Sequence, residues 1–119
     1  FTQYVIHEYL MNNPYSEHVK KIIALYEVQA TAMLDAMEAY FPKTVSWTKP
    51  EGGMFIWVTL PEGQSALDLF SKAMEKKVAF VPGDPFYTHK RGVNTFRLNY
   101  TNATPDVIRE GIKRLGSIL

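Results

Sequence analysis

The sequence contains no cysteine, and this absence excludes several kinds of chemistry at once. Disulfide bonds, thiolate nucleophiles and cysteine-ligated metals all require a side chain that the chain does not have. A chain without disulfides fits a reducing compartment, so we expect a cytoplasmic protein.

Long apolar runs and an excess of charge of one sign are also absent. No apolar stretch approaches the ~20 residues that span a bilayer, and there is no signal peptide, so we expect no membrane partner. The formal net charge is +1 and the basic runs are no longer than pairs such as Lys20-Lys21, so we expect no nucleic-acid partner. The length of 119 residues, with 46% hydrophobic and 21% charged residues, is that of one ordinary globular domain.

The motifs of metal and nucleotide sites are missing as well. His7, His18 and His89 lie far apart in the sequence, and no histidine or carboxylate stands near them at ligand spacing, so we expect no metal site. No G-x-S-x-G, Walker loop or G-x-G-x-x-G is present. Asp84 lies in a loop with two prolines, where binding residues are frequent, but a single acid is better explained as a turn residue.

Apolar periodicity predicts two helices in the first third of the chain. The first covers Thr2 to Met11, and a much longer one begins with Ser16 as its N-cap and ends before Pro42. The chain opens FTQYVIHEYL, without an initiator Met and already in a helical pattern. We therefore expect a fragment of a longer protein.

Two further helices are predicted in the second half of the chain. One begins at a capping box formed by Ser65 and Asp68, and the other follows Thr104. Gly111, in the middle of the last helix, is expected to mark a close approach to the sheet. The buried positions expected on the earlier of these helices are Leu67, Phe70, Ala73 and Met74.

Four strands complete the order α-α-β-β-α-β-β-α. They are TVSW, MFIWVTL (residues 54–60), VAFV (78–81) and TFRLNY (95–100). Both faces of MFIWVTL are apolar, so this strand is expected to be central and covered on both sides. The order predicts an α+β fold in which a small mixed or antiparallel sheet of about four strands is packed by helices.

One arginine interrupts the last strand. Alternation places Arg97 on the polar face of this strand, and the opposite face contains Phe96, Leu98 and Tyr100. A strand with one wet face can contain a charge that has no function. The alternative is a ligand site, because a guanidinium group is a planar fork that can bind a carboxylate through two parallel hydrogen bonds.

Three stretches join a strand to a loop that contains glycine or proline: KPEGGMFIWVTLPEG, VAFVPGDPFY and NTFRLNYTNATPD. In this order they closely resemble the C-terminal small domain of fold-type-I pyridoxal-phosphate-dependent aminotransferases of class I and II. The branch they resemble includes 2-aminoadipate and broad-specificity aminotransferases. The resemblance covers essentially the whole chain, and it implies that residues 1–13 are a connecting helix from a missing large domain and residues 14–119 the small domain.

The resemblance also implies a function. Members of this family transfer an amino group between an amino acid and a 2-oxo acid with pyridoxal 5'-phosphate, and the parent protein is expected to be a homodimer. In the family, the arginine at the position of Arg97, in an N-x-x-R-L context, binds the α-carboxylate of the substrate. We accordingly expect Arg97, Gly53 and Asn94 to bind substrate, and we expect Gly53, Pro82 and Arg97 to lie on one side of a domain that closes like a lid.

Departures from the family pattern limit what this chain can do. None of its nine lysines has the S-x-[ST]-K context of the Schiff-base lysine, and the Asn-Pro-x-x-Gly stretch of the large domain is missing. We expect no catalytic and no cofactor-binding residue in the chain, which alone should be inactive. One alternative is the aminotransferase-like effector domain of a winged-helix transcription regulator of the GntR/MocR type, and another is an unrelated α+β binding domain.

Overall fold

The computed structural model describes residues 1–89 and 93–119 of the chain. The helices are α1 (Thr2–Asn12), α2 (Tyr15–Tyr40), α3 (Ala66–Glu75) and α4 (Pro105–Gly116). The strands are β1 (Ser46–Trp47), β2 (Phe55–Thr59), β3 (Val81–Pro82) and β4 (Thr95–Asn99), with a 3₁₀ turn at Asp84–Phe86. The predicted order of helices and strands is confirmed.

The four strands form one antiparallel sheet in the order β1-β2-β4-β3. Its centre is the ladder between β2 and β4, which pairs Ile56 with Leu98 and Trp57 with Arg97. The predicted α+β class is therefore confirmed, and the sheet is antiparallel rather than mixed.

An apolar core lies between one face of the sheet and the helices. Alternate residues of the two central strands enter it, together with residues of α2 and α4; these core residues include Ile56, Val58, Phe96, Leu98, Met33, Met37, Ile108, Ile112 and Leu115. Burial of each such side chain stabilises the fold by roughly 1.5–3 kcal/mol. Phe55 and Trp57 point away from this core and are half-buried. The prediction that both faces of β2 are covered is thus wrong for the described part of the chain.

The start of α2 differs from the prediction. The helix begins at Tyr15, one residue before Ser16, and the backbone carbonyl of Pro14 accepts from the amides of Glu17 and His18, at 3.1 Å each. Ser16 lies inside the first turn, so its assignment as N-cap is wrong. The helix ends at Tyr40, before Pro42, as predicted.

The face that α3 buries is shifted from the predicted one. The Oγ of Ser65 accepts from the backbone amide of Asp68 at 3.2 Å, which confirms the cap. The buried residues are Ala66, Leu69 and Ala73, and Phe70 is half-buried against the core, so the prediction is confirmed for Ala73 and in part for Phe70. Ala66 and Ala73 have small side chains, so the helix packs closely on the core along the face that contains them. Leu67 and Met74 lie outside this face and are exposed.

The predicted strand VAFV is shorter than expected. Only Val81 and Pro82 pair with β4, opposite Arg97 and Phe96. The start of the segment is bound to α3 instead of β4, since the amide of Val78 donates to the carbonyl of Ala73 at 2.9 Å. The ring of Phe80 enters the core, with its centroid 4.3 Å from that of Phe96. This segment therefore ends α3 and fills the core instead of extending the sheet.

Gly111 does not mark a close approach, because a Cβ added there would meet no atom within 4 Å. The close approach is found instead at Gly116, where the end of α4 meets the end of α2. A Cβ on Gly116 would lie against the backbone carbonyl of Tyr40 at the end of α2. The glycine that lets these helices pack is one that the sequence pattern does not single out.

Candidate functional site

Arg97 lies in the middle of β4, on the sheet face opposite the helices. Its neighbours across the sheet are Trp57 on β2 and Val81 on β3. Phe96 and Leu98, on either side of it in sequence, are buried in the core, so the side chain of Arg97 projects from the other face and is half-buried. The predicted alternation of this strand is confirmed, except that Thr95 is also buried.

Two phenylalanine rings contact the guanidinium group of Arg97. The Cζ atom lies 3.8 Å from the ring centroid of Phe55 and 4.9 Å from that of Phe86. Both distances are within the range of about 6 Å over which a cation is attracted to an aromatic face. Phe55 reaches the group as a diagonal neighbour across the β2–β4 ladder. These contacts were not predicted from the sequence, although alternation places Phe55 on the same face as Trp57.

The loop after β3 brings Phe86 to this face. The amide of Gly83 donates to the carbonyl of Thr95 at 2.7 Å, and the amide of Phe86 donates to Gly83 at 2.9 Å. The ring of Phe86 packs edge-on against Trp57, with centroids 5.4 Å apart. Asp84 is exposed and begins the 3₁₀ turn, in agreement with its interpretation as a turn residue.

The aromatic contacts leave the N–H groups of Arg97 available. Within residues 1–89 and 93–119, no carboxylate or other acceptor is paired with its guanidinium group. An aromatic ring is at most a weak acceptor, so its contact with a guanidinium leaves the five N–H donors able to bind a stronger acceptor. The arrangement can therefore bind a planar anion such as a carboxylate.

Arg97 and Phe55 also line a groove of ≈ 600 Å³. The groove continues along the edge of β4, past Val78 and Ala79, as far as Ile108 on α4. Its volume is in the range of small-molecule sites, which measure about 300–1,000 Å³. The guanidinium group is thus next to space that a small ligand could occupy.

Gly53 and Asn94 lie at opposite ends of the β2–β4 ladder. The carbonyl of Gly53, which has a φ of 87°, accepts from the hydroxyl of Tyr100 at 2.7 Å. The Nδ2 of Asn94 donates to the carbonyl of Leu60 at 2.7 Å, and the amide of Leu60 donates back to the carbonyl of Asn94. Because a strand rises about 3.3 Å per residue, residues 94 and 100 are about 20 Å apart. Arg97 lies midway between the two ends, and the roles of Gly53 and Asn94 in substrate binding stay predictions.

Gly53, Pro82 and Arg97 were expected to lie on one side of the domain, but they do not all lie on the same face. Pro82 pairs with Phe96 next to Arg97, so the loop after β3 lies beside the guanidinium. The carbonyl of Gly53 is bound by Tyr100, whose buried ring packs edge-on against Tyr26 of α2. The loop around Gly53 is therefore bound toward the helix side, and the guanidinium of Arg97 lies on the other.

Ionisation of Tyr100 makes the free energy of unfolding depend on pH. Burial raises the pKa of its phenol above the ordinary 10.0, and nearby Tyr26 adds to the rise. The resulting stabilisation is complete below pH 10 and is lost as the pH rises through the higher pKa of the folded state. We expect Tyr100→Phe to lower the free energy of unfolding by about 1 kcal/mol at neutral pH, through the lost bond to Gly53, and to weaken its decline above pH 10.

Denaturant titrations at neutral and alkaline pH measure this effect in the full-length protein. Tyr15→Phe is the matched control, because Tyr15 is 52% exposed and lies at the start of α2, outside the connecting helix. Identical alkaline decline in the wild type and Tyr100→Phe would contradict the assignment.

Neither a cluster of metal ligands nor a membrane-spanning helix is found among the described residues. No group of three histidines and carboxylates among residues 1–89 and 93–119 could hold a metal ion, and no helix in these ranges is both long and apolar enough for a membrane span. Pyridoxal phosphate needs a lysine held against it in an enclosed site. Every described lysine is exposed, so none of them is held in an enclosed site of this kind, and Lys90 lies outside the described residues.

Comparisons with known proteins agree with the resemblance in sequence. Residues 1–115 match the family model of aminotransferase class I and II. Aromatic-amino-acid aminotransferase 1 from Thermococcus litoralis is 45% identical over 119 residues, which are 100% of this chain and 28% of that protein. The uncharacterised HTH-type transcriptional regulator YdfD from Bacillus subtilis is 29% identical over 99% of this chain and 24% of its own length.

The fold also matches solved structures. The alpha-aminoadipate aminotransferase LysN from Thermus thermophilus, complexed with N-(5'-phosphopyridoxyl)-L-leucine, has a TM-score of 0.90 and is 45% identical. The match covers 96% of this chain and 29% of LysN, so the chain spans less than a third of these aminotransferases. The chain belongs to the aminotransferase class I and II family.

Proposed function

We propose that this chain is the small domain of a pyridoxal-phosphate-dependent aminotransferase, in which Arg97 binds the α-carboxylate of the substrate. The observation that carries the proposal is the guanidinium group itself, which contacts two aromatic rings and has no acceptor among the described residues. An amino acid and a 2-oxo acid both have a carboxylate next to the reacting carbon. One fixed guanidinium can therefore orient the substrate in both half-reactions.

The proposal divides the chain into residues 1–13, a connecting helix, and residues 14–119, the small domain. All eleven residues of α1 are exposed, including a run of apolar side chains: Tyr4, Val5, Ile6, Tyr9, Leu10 and Met11. An apolar surface of this kind is typical of contact with another part of a protein. We propose that the large domain covers it and supplies both the cofactor and the Schiff-base lysine, in a cytoplasmic homodimer.

Arg97 contributes by orientation in this proposal. Two parallel hydrogen bonds to a carboxylate fix both its position and its plane, and so aim the neighbouring carbon at the reaction centre. Asn94 and Gly53 each anchor one end of the ladder that holds Arg97. We propose that both residues bind substrate and also keep the strand of Arg97 in register.

Amino transfer by the full-length protein tests the proposal. L-phenylalanine and L-2-aminoadipate serve as amino donors, because the relatives that match the chain include an aromatic-amino-acid aminotransferase and a 2-aminoadipate transaminase. We expect the full-length protein to transfer the amino group to 2-oxoglutarate. Absence of transfer with both donors and with a wider set of amino acids would contradict the proposal.

The isolated chain should be inactive in the same assay. We also expect no visible absorbance band when pyridoxal phosphate is added to residues 1–119, beyond that given by any protein with exposed lysines. A band that disappears when a single lysine of the chain is replaced would sink this part of the proposal.

The second candidate is the effector domain of a transcription regulator. The match to YdfD over 99% of the chain favours it, although at lower identity than the enzymes. Under this alternative, the full-length protein would bind a specific DNA sequence and would transfer no amino group. Electrophoretic mobility shifts of the full-length protein on DNA fragments from around its own gene separate the two candidates.

A further inference from the structure

We propose that Phe86 is a positioning residue for Arg97, which holds the guanidinium group in the orientation that receives a carboxylate. The proposal rests on the proposed function, because it concerns the same carboxylate site. It adds that the loop after β3 acts on substrate binding through an aromatic ring that contacts the arginine.

Phe86 is not part of the apolar core. The residue is 49% exposed, and its ring contacts Arg97 and Trp57. A large apolar side chain that is half in water gains little from burial at this position. Its contact with the guanidinium group therefore explains this residue better than burial does.

The loop holds Phe86 in place by backbone bonds that do not depend on its side chain. Gly83 is bound to Thr95 of β4, and the amides of Phe86 and Tyr87 close the 3₁₀ turn on Gly83 and Asp84, at 2.9 Å and 3.2 Å. Changing the ring should leave this turn intact. The function of the ring can thus be tested separately from the fold of the loop.

Arg97 needs such support because its side chain is long and has many rotamers. A protein carboxylate often fixes an arginine, but none among the described residues pairs with Arg97. Phe55 contacts the guanidinium from the sheet and Phe86 contacts it from the loop. Together the rings restrict the group while its N–H donors stay free, so less freedom is lost when substrate binds.

The kinetic test uses the full-length protein and L-phenylalanine. Phe86→Leu keeps an apolar side chain of similar size but removes the aromatic face, and we expect KM to rise about three- to tenfold with kcat changed less than about twofold. Phe86→Tyr keeps the ring and should restore KM. Phe70→Leu is the matched control, because it makes the same change on α3, where the ring packs against Phe80.

Binding of two inhibitors gives a second measurement. Hydrocinnamate has the carboxylate but no amine, and phenethylamine has the amine but no carboxylate. Phe86→Leu should raise the Kd of hydrocinnamate by the same factor as KM and leave that of phenethylamine unchanged. Equal weakening of both inhibitors, or equal effects of Phe86→Leu and Phe70→Leu, would show a general packing defect and overturn the proposal.

A double-mutant cycle separates this proposal from the one on which it rests. If Phe86 acts through Arg97, Phe86→Leu should have no further effect on hydrocinnamate binding in an Arg97→Ala background. A strong effect of Arg97→Ala with none of Phe86→Leu would refute the positioning role and leave the carboxylate site standing. Normal binding in Arg97→Ala would refute both.

Discussion

Arg97→Ala in the full-length protein is expected to lower kcat/KM for L-phenylalanine by roughly thirtyfold to a few thousandfold. A charge-assisted bidentate pair in a closed site contributes on the order of 2–5 kcal/mol to binding of the transition state. Arg97→Lys should recover part of this loss, because an ammonium group keeps the charge but cannot form the planar fork or stack in the same way on Phe55 and Phe86. Steady-state kinetics of the three proteins measure the effect.

A second arginine provides the control for this prediction. Arg109 lies on α4 and pairs with Asp106 at 3.0 Å, with more than half of its side chain exposed. Exposed pairs of this kind contribute about 0–1 kcal/mol, so Arg109→Ala should leave kcat/KM near the wild-type value. If Arg97→Ala and Arg109→Ala behave alike, Arg97 is a surface charge without a role in the reaction.

Replacing two glycines of α4 by alanine is expected to change stability in opposite directions. Gly116→Ala should lower the free energy of unfolding by about 1–3 kcal/mol, because the new Cβ would lie against the backbone carbonyl of Tyr40, which cannot turn aside. Gly111→Ala should raise it by about 0.5–1 kcal/mol, since there is open space at this position and alanine favours the helix.

Urea denaturation of the two variants measures this pair of effects in one helix. The better helix propensity of alanine applies to both substitutions, so the difference between them isolates the contact between the ends of α2 and α4. A stabilised Gly116→Ala would mean that these helix ends do not pack as described.

The general architecture could be predicted from the sequence because it depends on local patterns. Alternation in TFRLNY places Arg97 on the face away from the core, and Ser65 caps α3 as its spacing to Asp68 indicates. The order of helices and strands follows from the same periodicities. These features depend on residues close together in the sequence.

The features that the sequence did not predict depend on contacts between distant residues. Gly116 packs on Tyr40, 76 positions earlier, whereas Gly111 lies in the middle of the helix and faces open space. VAFV has a strand composition, but its backbone is bound to α3 and the ring of Phe80 is drawn into the core. The contact of Phe86 with Arg97 likewise depends on how the loop folds back over the sheet, which periodicity does not specify.

The most direct test of the central claim is a crystal structure of the full-length protein with hydrocinnamate bound. We expect two parallel hydrogen bonds of about 2.7–2.9 Å from the guanidinium of Arg97 to the carboxylate, with Phe55 and Phe86 still in contact with the arginine. A carboxylate bound by another cation, with Arg97 paired to an acidic side chain from elsewhere in the protein, would contradict it.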